Sequence, residues 1–260
     1  MIPSATPWQT AMTLGRLIVQ RVLRRREPEV DHGAFEGRMK ALVGRLPSDL
    51  LAQTKYAYLP ASTPPWVDTG VELPPGSRVT TLALGRVYLN KFLDIYASPE
   101  YALWARVGED GEIISGTRDT NSFTTEQGGR LYLATLTGEW ADQKGALATP
   151  VKDYENAQGG VSVQVLVWNG EPLNGLERTA SEGDVDGLVA MEIDRLKHAK
   201  PKPAGWDFLW FLGRSEIYND LSTDNKRGIQ CKTHKNVCIL QKDAPFALTP
   251  DTRLQWAWCV

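Results

Sequence analysis

Hydrophobic and polar residues alternate with a period of two along the middle of the chain. From Trp66 to Trp168 the alternation is divided into short runs by turn signals at 74–76, 108–111 and 128–129, each of which contains glycine. Period two is typical of strands with one face in a core, and this spacing of turns favours an antiparallel β-sandwich over alternating strands and helices. The predicted strands are 78–84, 101–107, 130–136 and 160–168.

Helical spacing occurs on both sides of this region. Residues 8–26 carry apolar side chains at helical spacing, with arginines largely on the remaining positions. A second helical stretch, 34–53, contains Pro47, which with Ser48 predicts two short helices in place of one. Residues 181–198 predict a helix with an acidic first turn, which suits the helix dipole.

Strand-like runs return near the C-terminus, at 206–212, 228–233, 236–241 and 254–260. Together the patterns predict a helical segment at 1–59, a β-sandwich at 60–175, a helix and linker at 176–203, and a partial second β-domain at 204–260. The fold class is therefore mainly β with an N-terminal helical segment. Because the last run is aromatic-rich, we expect a partner chain, a second copy or a longer chain to complete its sheet.

Composition narrows the function classes. The 260 residues are 42% hydrophobic and 23% charged, with a formal net charge of −2. This is a globular composition without the overall basic field typical of nucleic-acid binding, so we expect no nucleic-acid partner. Three cysteines and no signal-peptide pattern predict free thiols and a cytoplasmic location.

The basic helix at 8–26 has two interpretations. Residues 1–45 contain eight Lys or Arg against four Asp or Glu, a net charge of +4. Such a helix could attach to an anionic membrane surface. It could instead dock on the β-domain, which is the interpretation we favour, so we expect no attachment to a membrane.

Catalytic and cofactor motifs are sparse. The sequence contains neither a Gly-x-Ser-x-Gly elbow nor a phosphate-binding glycine motif. Cys231, His234 and Cys238 have soft-ligand chemistry that zinc accepts, but a closed zinc site needs a fourth ligand, so we favour two strand cysteines acting as small hydrophobes.

The ordered features of the sandwich resemble a known family. They are Trp66 with Thr69-Gly70, then 75–79 leading into a strand that ends at Gly85, then 103–108, and 129–134 leading to 138–142. This order resembles the galactose-binding-like sandwich, or jelly roll, of the PA-I galactophilic lectin family, over about residues 66–170. The resemblance implies a sugar and a calcium ion at one end of the sandwich.

The same resemblance implies the candidate site. It places Tyr88, after the first long strand, and the loop 139–143 at the ligand end. The candidate ligand-binding residues are Tyr88, Asn90, Trp140, Asp142 and Gln143, with Trp140 stacking on the sugar. Glu139 and Asp142 are the candidate calcium ligands; the alternative is that both are solvated loop charges.

The C-terminal segment resembles a second family. Gly205-Trp206, the run 237–241 and the run 249–258 resemble the start of a bacterial family defined only as a domain of unknown function. The resemblance implies a fold and no activity.

We therefore expect a carbohydrate-binding or glycoconjugate-binding protein without catalysis of its own and without a cofactor other than calcium. The alternative is an enzyme that acts on a polar small molecule or polysaccharide in a cleft between the two β-domains. It would need carboxylates, or a histidine with a carboxylate, that converge in that cleft.

Overall fold

The computed structural model describes residues 29–62, 66–116, 118–136, 138–212, 217–223, 226–233, 238–243, 246–247 and 249–253. The predicted basic helix at 8–26, His234 and the predicted last strand at 254–260 lie outside the described residues. The elements are α1 (His32–Val43), β1 (Leu51–Pro60), β2 (Val67–Leu73), β3 (Arg78–Asn90), β4 (Ile95–Ala97), α2 (Pro99–Ala102), β5 (Leu103–Val107), β6 (Thr120–Thr124), β7 (Gly129–Thr135), β8 (Gln158–Trp168), α3 (Pro172–Glu182), α4 (Leu188–His198), β9 (Asp207–Phe208), β10 (Tyr218–Thr223), β11 (Lys226–Cys231) and β12 (Leu240–Gln241), with 3₁₀ turns at Val151–Tyr154 and Trp210–Leu212.

Two antiparallel sheets form the body of the protein. The larger has five strands in the order β1-β8-β3-β4, with β6 also paired to β3, and the smaller has three in the order β2-β7-β5. The long strand β3 pairs with β6 along its first half and with β4 near its end. The predicted antiparallel β-sandwich is confirmed.

The main core lies between the two sheets, and strand alternation supplies it. On β8, Val161, Val163 and Val165 are fully buried in this core, while Ser162 and Leu166 face the other way. On β5, Ala105 faces the same core and Trp104 faces outward into a different cluster. Each sheet thus has an inner face and an outer face.

Three helices cover part of the outer face of the five-stranded sheet. Phe35 and Met39 of α1, Leu176 of α3 and Leu188 of α4 pack with Leu82 of β3 in a second apolar cluster. Helix α1 begins after Asp31, whose carboxylate accepts the N–H of Ala34, as expected of an N-cap. None of the helices in the described part of the chain is long and apolar enough to cross a membrane.

Two sequence predictions need correction. The second short helix expected in 34–53 is wrong, because Leu51–Pro60 is a strand that pairs with β8 along its whole length. The sheet thus begins well before residue 60. The helix expected at 181–198 begins only at Leu188, because α3 ends at Glu182 and Gly183 and Gly187 break the helical path with positive φ angles.

The described C-terminal segment forms two small pairs of strands, β10 with β11 and β9 with β12. Trp210 packs against the aromatic cluster on the outer face of the three-stranded sheet. Cys231 and Cys238 are both free cysteines, the first exposed and the second buried.

Candidate functional site

The end of β3 presents an aromatic surface. Tyr88 lies opposite Tyr96 of β4 on one side and Gln158 of β8 on the other. Val87 is buried in the core, so alternation turns Tyr88 to the outer face of the five-stranded sheet. The rings of Tyr88 and Tyr96 meet at 71° with centroids 6.0 Å apart, an edge-to-face pair.

Two adjacent glycines let tyrosines lie close to the sheet. A Cβ on Gly159, which has φ +90°, would come within 3.0 Å of the Tyr88 ring. A Cβ on Gly160 would come within 2.7 Å of the Tyr58 hydroxyl. The same Cβ atoms would also lie 2.1 Å from the Arg86 carbonyl oxygen and 2.7 Å from the Leu59 carbonyl oxygen, so the close packing of strands and tyrosines here requires glycine at both positions.

Cationic side chains lie over the rings. The Arg86 guanidinium is 4.6 Å from the centroid of Tyr96, and the Lys91 Nζ is 5.5 Å from that of Tyr88. Both distances are typical of cation–π contacts. We call the set Tyr58, Arg86, Tyr88, Tyr96 and Gln158 the tyrosine surface.

Two ionisable groups border the tyrosine surface. Glu29 accepts a hydrogen bond of 2.9 Å from Lys91, which lowers the pKa of the glutamate and raises that of the lysine. The His32 Nδ1 lies 2.7 Å from the Ser162 hydroxyl, and the ring is 4.7 Å from Tyr58. Burial lowers the pKa of His32, because it disfavours the charged imidazolium. The His32 side chain is half-buried.

Asn90 has a local structural role. Its side-chain oxygen accepts the N–H of Leu93 at 2.9 Å and closes the turn between β3 and β4. The predicted strand ended near Gly85, but β3 continues to Asn90, whose side-chain oxygen is engaged in the turn that follows.

The other predicted residues lie on the opposite side of the sandwich. Trp140 stacks on Trp66 with centroids 5.1 Å apart and 14° between the planes, and meets Trp104 edge-on at 5.8 Å. Its side chain is 7% exposed. Trp66 and Trp104 thus cover much of the Trp140 ring, and stacking of a sugar on Trp140 stays a prediction.

Asp142 stabilises its own loop. One carboxylate oxygen accepts the N–H groups of Lys144 at 2.9 Å and Ala146 at 3.1 Å. These bonds, first that from Ala146, lower the pKa of Asp142. The Gln143 carbonyl accepts the N–H of Ile113, while the side chains of Gln143 and Glu139 are exposed.

The structure therefore divides the predicted site. Tyr88 and Asn90 belong to the outer edge of the five-stranded sheet, and Trp140 packs on the outer face of the three-stranded sheet. The core between the sheets separates the two groups, since packed sheets lie about 10 Å apart.

Calcium needs six to eight oxygen ligands. Glu139 and Asp142 provide only two carboxylates, and Asp142 already accepts two backbone N–H groups. Within the described ranges, no group of three or more acidic, histidine or cysteine side chains is placed to hold a metal. These residues do not by themselves fit the ion, and calcium binding stays a prediction.

A small cavity lies inside the sandwich, at the edge formed by β5 and β6. Asp119 lines it with Arg118, Asn121 and Leu133. Burial raises the pKa of Asp119 to about 6, although its carboxylate accepts the N–H of Glu100. This cavity is within one domain, unlike the interdomain cleft of the enzyme alternative.

Sequence reasoning missed Tyr58, Arg86, Tyr96 and Gln158. The available signals were the Gly159-Gly160 pair at the start of a strand and the continued alternation of Arg86 and Tyr88 beyond Gly85. Tyr58 was hidden because its segment follows a stretch interpreted as helical.

Comparison with known proteins adds one likeness. No family model matches the chain, including that of the domain of unknown function that residues 205–260 resemble, and none of the curated proteins matches. Among solved structures, one described as "EclA N-terminal domain; PllA-like lectin" is similar, with 19% sequence identity over 46% of this chain and 99% of that chain, at a TM-score of 0.34. At this identity and TM-score the likeness carries no argument about function.

Proposed function

We propose that the protein binds carbohydrate on the tyrosine surface. The observation that carries the proposal is the pair Tyr88 and Tyr96, which face outward from directly opposed positions on β3 and β4. Sugar rings present apolar C–H faces that pack on aromatic rings, and polar groups beside the rings then orient the hydroxyls.

The polar groups of the surface suit such a ligand. The Arg86 guanidinium lies over Tyr96, so it can donate hydrogen bonds to hydroxyls of a ring that packs on the tyrosines. The Gln158 amide, opposite Tyr88, offers both a donor and an acceptor. Because these residues lie on the face of a sheet, the surface suits an extended saccharide better than a small molecule that needs enclosure.

A glycan array followed by titration calorimetry tests the proposal. For Tyr88→Ala we expect at least about a tenfold loss of affinity, because about 1.4 kcal/mol of packing corresponds to tenfold. Tyr132→Ala is the matched control, since Tyr132 is a half-buried strand tyrosine on the outer face of the other sheet. Thermal melting of both variants checks that each is folded.

Two results would contradict the proposal. One is the absence of glycan binding by the wild-type protein with calcium and with chelator. The other is an equal loss of affinity in Tyr88→Ala and Tyr132→Ala. Asp142→Ala tests the other part of the predicted site, the loop 139–143. If the tyrosine surface binds the sugar, this variant should bind it with unchanged affinity. Chelator-sensitive binding would support the calcium prediction.

A further inference from the structure

Three large apolar side chains are exposed in and beside the turn between β3 and β4. Leu89 is 60% exposed, Phe92 is 85% exposed and Ile95 is 43% exposed. We call these three residues the hairpin tip. Turns are usually built from small and polar residues, so an apolar cluster in this position is unusual in water.

The geometry of the turn does not require the apolar side chains of the hairpin tip. The turn is closed by the Asn90 side chain, which accepts the N–H of Leu93, and Asp94 has a positive φ of 51°. Neither the Asn90 hydrogen bond nor the positive φ of Asp94 depends on an apolar side chain at position 92, so a polar residue there would allow the same turn.

The described chain begins beside this tip. Glu29 forms an ion pair with Lys91 in the turn, with Nζ and Oε1 2.9 Å apart. Arg26 precedes Glu29 by three residues in the sequence. Residues 1–28 contain five arginines and one acidic residue, a net charge of +4.

The basic segment alone favoured docking on the β-domain over a membrane, but the exposed tip is a second and independent observation. We therefore propose, contrary to the sequence expectation, that the hairpin tip contacts the surface of an anionic lipid bilayer. Leu89, Phe92 and Ile95 enter the interfacial region, where apolar side chains leave water, and the arginines that precede Glu29 add attraction to anionic headgroups. An apolar tip alone would fit many partners. The basic residues 1–28, which precede Glu29 in the sequence, favour an anionic bilayer among them. The proposal does not depend on carbohydrate binding.

Co-sedimentation with sugar-free vesicles tests this contact. The probes are vesicles of phosphatidylcholine and vesicles in which about one lipid in four is phosphatidylserine. We expect the wild-type protein to bind the anionic vesicles more strongly. Phe92→Ser should lower the partition coefficient by about tenfold, because burying a phenylalanine side chain contributes about 1.5 to 3 kcal/mol.

Phe246→Ser is the matched control, because Phe246 is also exposed, at 59%, and lies in the C-terminal segment. It should bind as the wild type does. Equal binding by Phe92→Ser and wild type would overturn the proposal, as would a wild-type protein that binds neither vesicle. A wild-type dimer that Phe92→Ser converts to a monomer would overturn it too, and would make the tip an interface between two copies. Glycan binding is measured separately, so its failure leaves this result intact.

Discussion

The Asp119 carboxyl group is largely buried. It lines the cavity between the sheets and accepts one backbone N–H, from Glu100. The nearby Glu100 carboxylate adds to the effect of burial, and together they raise the pKa of Asp119 to about 6 from an ordinary value of 3.8. The folded chain therefore binds this proton more tightly than the unfolded chain does.

The pH dependence of stability follows from that difference. The contribution of Asp119 is fully present below about pH 3.8 and is lost as pH rises through about 6. Asp119→Asn keeps an oxygen for the Glu100 N–H and removes the titration. Its stability relative to wild type should therefore rise between pH 4 and pH 8, by up to about 3 kcal/mol.

Urea unfolding of the wild type and Asp119→Asn at both pH values measures this. Asp153→Asn, at an exposed position, is the control and should show no such rise. If the difference in free energy of unfolding between Asp119→Asn and wild type does not change with pH, the Asp119 carboxyl is hydrated in solution.

Glu192 is a buried charge with a complete set of partners. Its side chain is 0% exposed, and its two oxygens accept hydrogen bonds from Arg195 at 2.7 and 2.9 Å and from the Thr120 hydroxyl at 2.7 Å. The bond from Thr120 connects α4 to β6 at the edge of the five-stranded sheet. Removing one partner of a buried pair is costly because the other charge stays desolvated.

Glu192→Ala should therefore lower the free energy of unfolding by about 3 to 5 kcal/mol. The control is Glu177→Ala, which removes an exposed ion pair with Lys197 and should cost no more than about 1 kcal/mol. Chemical denaturation of both variants measures the difference, and similar losses in the two would contradict the assigned role of Glu192.

At the scale of the element, β3 depends on a close approach to β8. A Cβ on Gly85 would lie 2.3 Å from the Gly160 carbonyl oxygen and 2.6 Å from the Val161 Cα, both backbone atoms. β3 is central to the sheet, so the strands have no room to separate. Only glycine fits this position.

We expect Gly85→Ala to destabilise the protein by at least about 2 kcal/mol, the size typical of overpacking. Gly37→Ala is a suitable control, because Gly37 lies in helix α1 and a Cβ there meets nothing within 4 Å. That variant should gain about 0.5 to 1 kcal/mol from helix propensity. Differential scanning calorimetry distinguishes the two, and an undiminished melting temperature for Gly85→Ala would rule out the close approach.

The alternation of hydrophobic and polar residues predicted some strands and helices well and missed others. β8 is buried on both faces, but Ser162 and Gln164 keep its sequence alternating between apolar and polar residues. Alternation therefore predicted β7 and β8 within two residues at each end. It missed β1, whose residues 52–55 are all exposed and therefore lack the alternation. It missed α3 as well, which begins at Pro172, a residue favoured in the first turn of a helix.

At the scale of the whole molecule, the proposals place two kinds of contact on one hairpin. Tyr88 and Tyr96 face outward from the paired strands, and Phe92 lies in the turn that joins them. A membrane contact at the turn would hold the tyrosine surface close to glycans at that membrane.

The two contacts should be separable by mutation. Tyr88→Ala should lose soluble glycan binding and keep vesicle binding, because its ring lies on the strand behind the tip. Phe92→Ser should do the reverse. Parallel calorimetry and vesicle sedimentation measure both activities, and loss of both in either variant would mean that the hairpin acts as one site.

The sequence by itself determined the local features of this protein. Its alternation and glycine turns predicted antiparallel strands and the β-sandwich that they form. Alternation indicates which side chains of a strand point into a core and which point away from it, because successive residues point to opposite faces.

Only the tertiary structure decided which residues share a surface. Strand pairing brought Tyr88 together with Tyr96 and Gln158, while Trp140 packed on the outer face of the other sheet. Alternation cannot distinguish these outcomes, because it does not record which sheet a strand joins. That choice depends on long-range pairing, such as that of β1 with β8, between segments far apart in the chain.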